Sequence, residues 1–132
     1  MKLNKIILAI CVILCLHIKI MAQNPAPPPK IGLPCPSFEL NEIHNYVQKK
    51  TNLEDLKGQY VILDFWGKKC PTCIRSFPHS NEIQKQFKDK LKIILVGYDE
   101  EGIRPLYDKV SKKENLDLSY AYDKTMIKQF VP

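Results

Sequence analysis

Apolar positions in this chain fall into short runs separated by polar segments marked with glycine and proline. Phe38 and Leu40 alternate with polar neighbours, which predicts a first strand within Gly32–Leu40. The stretch from Asn41 to Lys50 is mostly polar. It predicts a second hairpin strand around Tyr46-Val47 and leaves His44 on the surface. Thr51-Asn52-Leu53-Glu54 has the spacing of a capping box, and Gly58 is placed to end the short helix it would start. Val61 to Trp66 is apolar and β-branched apart from Asp64, the pattern of a buried strand. Helical spacing then runs through Cys73, Phe77, Ile83 and Phe87. Pro71 suits a first helical turn, where its missing N–H costs nothing, and Pro78 should kink the helix. Leu91 to Tyr98 predicts a second buried strand. Asp99 and Glu100 open an amphipathic helix around Ile103 to Val110, with Pro105 near its first turn. Leu116 to Tyr122 alternates as a short strand, and Thr125 to Phe130 forms a brief helix. Strands alternating with helices imply an α/β domain built on a parallel or mixed sheet with both faces covered.

The 132 residues suffice for one domain with a real core. Lys2 and Lys5 precede an unbroken apolar run from Ile6 to Leu16, and Ala22 supplies a small residue for cleavage. Residues 1–22 are therefore expected to be a signal peptide. A membrane span needs about 20 apolar residues, and His17 and Lys19 interrupt this run, although an uncleaved leader would act as an anchor. Cys11 and Cys15 belong to the apolar run as hydrophobes. Residues 23–31 are Pro-rich and predict an extended linker, which leaves residues 32–132 as the domain. Loss of Lys2, Lys5 and Lys19 with the leader lowers the formal charge from +6 to +3. The rest mixes signs, without the aromatic-interleaved basic stripe of a nucleic-acid binder.

The chemistry concentrates where the Val61–Trp66 strand turns at Gly67 and meets Cys70-Pro71-Thr72-Cys73. A thiol attacks disulfides as its thiolate. A helix N-terminus, with unpaired N–H groups and partial positive charge, favours that anion. Lys68 and Lys69 add positive charge. Cys70 would attack, and Cys73, one turn further on and more buried, would resolve the mixed disulfide. A zinc site needs two more ligands, and Cys35, His44 and His79 offer no second matching pair. Asp64 interrupts the apolar strand. Either it lies at an edge with its carboxylate in water, or it is a buried carboxyl with raised pKa that takes the Cys73 proton. Cys35, between two prolines, is expected to be a small buried residue rather than a free thiol. His79, beyond the kink, is expected to face solvent.

Asp64-Phe65-Trp66 followed by Cys70-x-x-Cys73, with Pro78 five residues after Cys73, resembles the thioredoxin-like superfamily. The match is nearest the secreted TlpA-type thiol-disulfide oxidoreductases, which are related to the AhpC/TSA group. Gly32-x-x-x-Pro36-x-Phe38-x-Leu40 is similar to the entry segment of TlpA-type and peroxiredoxin-type domains. The resemblance implies a three-layer thioredoxin-like fold around a central mixed sheet. It implies Cys70 and Cys73 as the redox pair, Asp64 as proton carrier, and Trp66 as an apolar wall beside the cysteines. Trp66, Pro71 and Pro132 are the candidates for substrate contact, Pro132 because the family places a cis-proline facing the cysteines in this region. Two departures stand out. Lys69 replaces a common Trp and makes the site more basic, whereas Ser76 replaces a frequent acidic residue and leaves proton handling to Asp64. The resemblance covers residues 31–132 and the front two-thirds of the family's domain. The last two strands and closing helix are then missing, with an exposed sheet edge prone to mispairing.

These features imply an exported oxidoreductase, periplasmic or secreted, exchanging protein disulfides, more reducing than oxidising. Its expected partners are protein thiols or disulfides and an upstream electron-donor protein, with no cofactor, resident metal or nucleic acid, and with membrane contact only through an uncleaved leader. Two alternatives differ in class. One is a peroxiredoxin-like peroxidase, although Gly67 stands where its Thr or Ser belongs. The other is a non-catalytic module using Cys70 and Cys73 as thiolate metal ligands.

Overall fold

The computed structural model describes residues 28–98 and 102–131. The expected signal peptide, most of the linker, Asp99, Glu100 and Pro132 lie outside the described residues.

Two seven-residue strands form the frame: β4 (Tyr60–Trp66) and β5 (Leu91–Gly97). The short strands are β1 (Glu39–Leu40), β2 (Ile43–His44), β3 (Thr51–Asn52) and β6 (Ser119–Tyr122). Three α-helices intervene: α1 (Pro71–Phe87), α2 (Ile103–Glu114) and α3 (Met126–Phe130). The main sheet has the order β2-β6-β5-β4. β4 runs parallel to β5 with Asp64 opposite Leu95, β5 runs parallel to β6, and β2 is antiparallel to β6. β1 and β3 form a separate antiparallel pair. Parallel neighbours need crossover connections, and α1 and α2 provide them.

Strand alternation sorts the side chains into two cores. Leu91, Ile93 and Leu95 point to the α1–α2 face, packed with Trp66, Phe77, Ile103, Tyr107 and Leu118. Ile94 and Val96 point the other way, against Phe38, Leu40, Ile43, Leu56, Ala121 and Met126. β5 is central, buried on both faces, and therefore almost wholly apolar. β4 lies at an edge of the sheet among the described residues, with Tyr60 and Ile62 exposed. The three-layer α/β arrangement with a mixed sheet matches expectation.

Local readings needed correction. Tyr46-Val47 is not a strand. Asn45 adopts φ 50°, which reverses the chain, and Val47 is exposed. The partner of β1 is β3 instead. The capping box sits one residue later than predicted. Asn52 Oδ1 accepts from the N–H groups of Glu54 (2.8 Å) and Asp55 (3.1 Å). Asp55 Oδ2 accepts from the Asn52 N–H at 3.0 Å. Thr51 is buried in β3, and the helix is a single 3-10 turn over Glu54–Leu56. Phe87 is exposed rather than packed. Ten residues beyond Phe77, it falls about 80° round the helix from the buried face. Cys35 is a free, exposed thiol because its prolines hold it along the surface, and its partial burial pushes the pKa up. His44 is half-buried, stacked on the Tyr120 ring at 4.7 Å.

Candidate active site

β4 delivers the chain to the site. Trp66 ends the strand with its ring edge-on to Phe77, centroids 5.1 Å apart, and is 1% exposed. The chain then turns at Gly67, whose carbonyl accepts from the Cys70 N–H at 3.0 Å. That turn sets Cys70 at the N-cap of α1 with Pro71 in the first turn, as the sequence predicts.

Cys70 and Cys73 are joined in a disulfide, with their Cα atoms 5.3 Å apart. Cys70 Sγ accepts from the Cys73 N–H at 3.3 Å and lies 3.5 Å from Thr72 Oγ1. In the reduced protein the same N–H would meet a thiolate, and hydrogen bonding to a charged form favours that form. Cys73 packs against the core cluster that contains Trp66 and Phe77. The two sulfurs thus differ: one is held by the opening turn of a helix, the other is backed by apolar side chains. The first turn of α1 contains no acidic residue, so nothing within it offsets the positive end of the helix dipole.

Asp64 lies on the same face of β4 as Trp66, two residues earlier. It is half-buried, and that burial pushes its carboxyl above the usual carboxylate range. Its position combines features of both sequence readings, since it lies on an edge strand and is still partly desolvated. Trp66 is buried in the α1–α2 core. Its place is in the core cluster against which Cys73 packs. Pro71 is exposed beside the disulfide, and His79 is exposed on α1. Pro132 lies outside the described residues. No group of three or more His, Cys, Asp or Glu side chains among the described residues is placed to hold a metal ion.

Residues that the sequence reasoning missed fix the position of β5 beside the site. The Tyr98 N–H donates to the Trp66 carbonyl at 3.2 Å, tying the two strand ends together. Gly97 permits this close packing, because a Cβ there would stand 2.8 Å from Ile103 Cδ1 and 2.9 Å from Tyr122 Cδ1. A glycine closing an apolar strand was the available signal. Beyond it lies a cavity of about 360 Å³ lined by Gly97, Arg104, Tyr122 and Thr125 among others. Arg104 sits 4.4 Å over the Tyr122 ring and 2.7 Å from Glu42, and its hydrogen bond holds the Glu42 carboxyl below the ordinary range.

Comparison with known proteins agrees with this geometry. A family model described as the AhpC/TSA family matches residues 31–130. The thiol-disulfide oxidoreductase ResA of Bacillus anthracis is 37% identical over 75 residues, covering 56% of this chain and 42% of that protein. The chain therefore spans less than half the length of such curated relatives. Among solved structures, the thioredoxin domain of a thiol-disulfide oxidoreductase from Bacteroides vulgatus superposes with a TM-score of 0.58 at 22% identity. That superposition covers 76% of this chain and 69% of that one. StoA from Bacillus subtilis gives 0.53 at 21% identity, covering 73% and 71%. Both carry the thioredoxin-like fold into the present structure. The model match, spanning the strands, the disulfide and all three helices described above, places this chain in the AhpC/TSA family.

Proposed function

We propose that the chain serves an exported thiol-disulfide oxidoreductase that reduces disulfides in other proteins. The observation that carries this reading is the Cys70–Cys73 disulfide, set at a helix N-terminus beyond the carboxyl end of β4. The curated relatives named thiol-disulfide oxidoreductases support it. Export rests on the leader pattern of residues 1–22 and the oxidising compartments in which disulfides persist. No helix among the described residues is long and apolar enough to cross a membrane.

In the reduced enzyme the Cys70 thiolate attacks one sulfur of a substrate disulfide. A Cys70–substrate disulfide forms, the substrate S–S bond breaks, and one substrate thiolate leaves. Cys73 loses its proton to the Asp64 carboxylate and attacks Cys70 Sγ. The intramolecular disulfide forms, and the second substrate thiolate departs. Two electrons have passed to the substrate, and an electron-donor dithiol protein restores the enzyme. Apolar packing behind Cys73 keeps it a thiol until the mixed disulfide forms.

The test is reduction of insulin disulfides with dithiothreitol as donor. Wild type should turn over, and Cys70→Ser and Cys73→Ser should not. Only the Cys73→Ser variant should accumulate a mixed disulfide with the substrate. Full turnover by either variant refutes the proposal. A reduction potential near −120 mV, the strongly oxidising end of the range, refutes the reducing direction.

A further inference from the structure

Cys70 occupies the N-cap position of α1, where Ser, Thr, Asp or Asn usually supplies an oxygen to the free N–H groups of the first turn. Its sulfur takes that place and accepts from the Cys73 N–H at 3.3 Å. A second group meets the same sulfur. Thr72 Oγ1 lies 3.5 Å from Cys70 Sγ. A disulfide sulfur has no hydrogen to give, so the hydroxyl is the donor. Helical Ser and Thr hydroxyls commonly bond back to a carbonyl three or four residues earlier. Ser76, one turn further along α1, does this and donates to the Cys73 carbonyl at 2.7 Å. Thr72 turns its hydroxyl to the sulfur instead. Thr72 is exposed, so tight packing does not impose that choice.

We propose that Thr72 is a catalytic residue whose hydroxyl donates to the Cys70 thiolate during exchange, a role that rests on the oxidoreductase function proposed above. A neutral disulfide sulfur is a weak acceptor and a thiolate a strong one, so the contact tightens when Cys70 is reduced. Hydrogen bonding to the charged form favours that form. It also draws charge from the sulfur and makes it a poorer nucleophile, with a Brønsted coefficient of about 0.4–0.5. The two effects oppose each other on either side of the pH at which Cys70 ionises. Below that pH the hydroxyl speeds attack by raising the thiolate fraction. Above it, where the thiol is already ionised, the hydroxyl slows attack. A side chain that only shaped the turn would move both limbs of the profile together, so the crossing identifies the hydroxyl. The charged groups around this turn in the sequence, Asp64, Lys68, Lys69, Arg75 and His79, are unchanged when Thr72 alone is replaced.

The experiment alkylates the pre-reduced chain with iodoacetamide across the pH range in which thiols ionise, and reads modification at Cys70 by tandem mass spectrometry. Thr72→Val removes the hydroxyl and keeps the shape. It should lower the acidity of Cys70 about tenfold, the scale of one exposed hydrogen bond to a charged group, and move the midpoint of the profile to higher pH. With the Brønsted coefficient above, alkylation should be about threefold slower than wild type below the wild-type midpoint and about threefold faster above the variant's own. At pH 7 the equilibrium with glutathione should shift toward the Cys70–Cys73 disulfide, because the reduced form has lost its donor. Thr72→Ser restores a hydroxyl and should follow the wild-type profile. A Thr72→Val profile with the wild-type midpoint, or one lying below wild type on both limbs, overturns the proposal. So does a Thr72→Ser profile that follows Thr72→Val. Insulin reduction by wild type is measured alongside. Unmoved profiles with normal insulin turnover overturn the role of Thr72 alone, whereas absent turnover overturns the oxidoreductase reading on which it rests.

Discussion

Replacing Asp64 with Asn tests whether the carboxylate in β4 costs stability and serves the resolving thiol. Asn keeps the size and removes the charge. Burial pushes the Asp64 pKa up in the folded protein. Its folded pKa then exceeds its unfolded value, so its favourable contribution is complete below the ordinary Asp range and is lost as pH rises through the raised value. At pH 7.5 the native chain carries a partly desolvated charge, and Asp64→Asn should be more stable. Full burial of an unpaired carboxylate is very costly, but Asp64 is only half-buried and water screens it. The gain is therefore about 0.5–1 kcal/mol. Near pH 3 the difference should vanish. The readout is urea unfolding followed by fluorescence of Trp66, the chain's one tryptophan, which is buried in the α1–α2 core. In single-turnover exchange, resolution of the Cys70 mixed disulfide should slow about tenfold at pH 7. That is below the usual range of about 10²–10⁴ for general acid–base catalysis, because water reaches Asp64 and partly replaces it. The loss should shrink as pH approaches about 8.5, where a free thiol ionises without help. A variant that is less stable at pH 7.5, or that resolves at the wild-type rate throughout, refutes this reasoning.

Gly97→Ala forces a Cβ to 2.8 Å from Ile103 Cδ1 and 2.9 Å from Tyr122 Cδ1. Overpacking of this kind costs about 1–3 kcal/mol, to be seen as a lower urea midpoint at unchanged slope. An unchanged midpoint contradicts the packing described. Gln84→Leu removes hydrogen bonds to the Leu91 carbonyl (2.6 Å) and from the Ile93 N–H (2.7 Å). β6 pairs with β5 only from Ile94 onward, so Gln84 occupies the ladder positions before it. Its loss should cost about 2 kcal/mol and speed amide exchange at Ile93, while slow exchange there shows that another group satisfies the strand.

Local pattern carried much of the reading. A strand, a glycine turn and a Cys-x-x-Cys starting a helix form one contiguous stretch, and contiguous chemistry is visible in sequence. The main strands and the helices at α1, α2 and α3 were legible because each is long enough for its period to show, or is bounded by Gly, Pro or Asn. Asp64 was conspicuous because a carboxylate broke an apolar run. Tertiary contacts decided the rest. Two-residue strands such as β1, β2 and β3 have no measurable period, and only their partners define them. His44 became half-buried because β6 brings Tyr120 beneath its ring. Trp66 is a core residue because α1 and α2 close over it through Phe77 and Tyr107. Gly97 mattered only once Ile103 and Tyr122 were packed against it. The sequence by itself determined the Cys70–Cys73 pair and the helix turn that presents it, since both depend on neighbours along the chain. The fold alone decided which side chains are buried and how the short strands pair, because those properties depend on residues far apart in sequence.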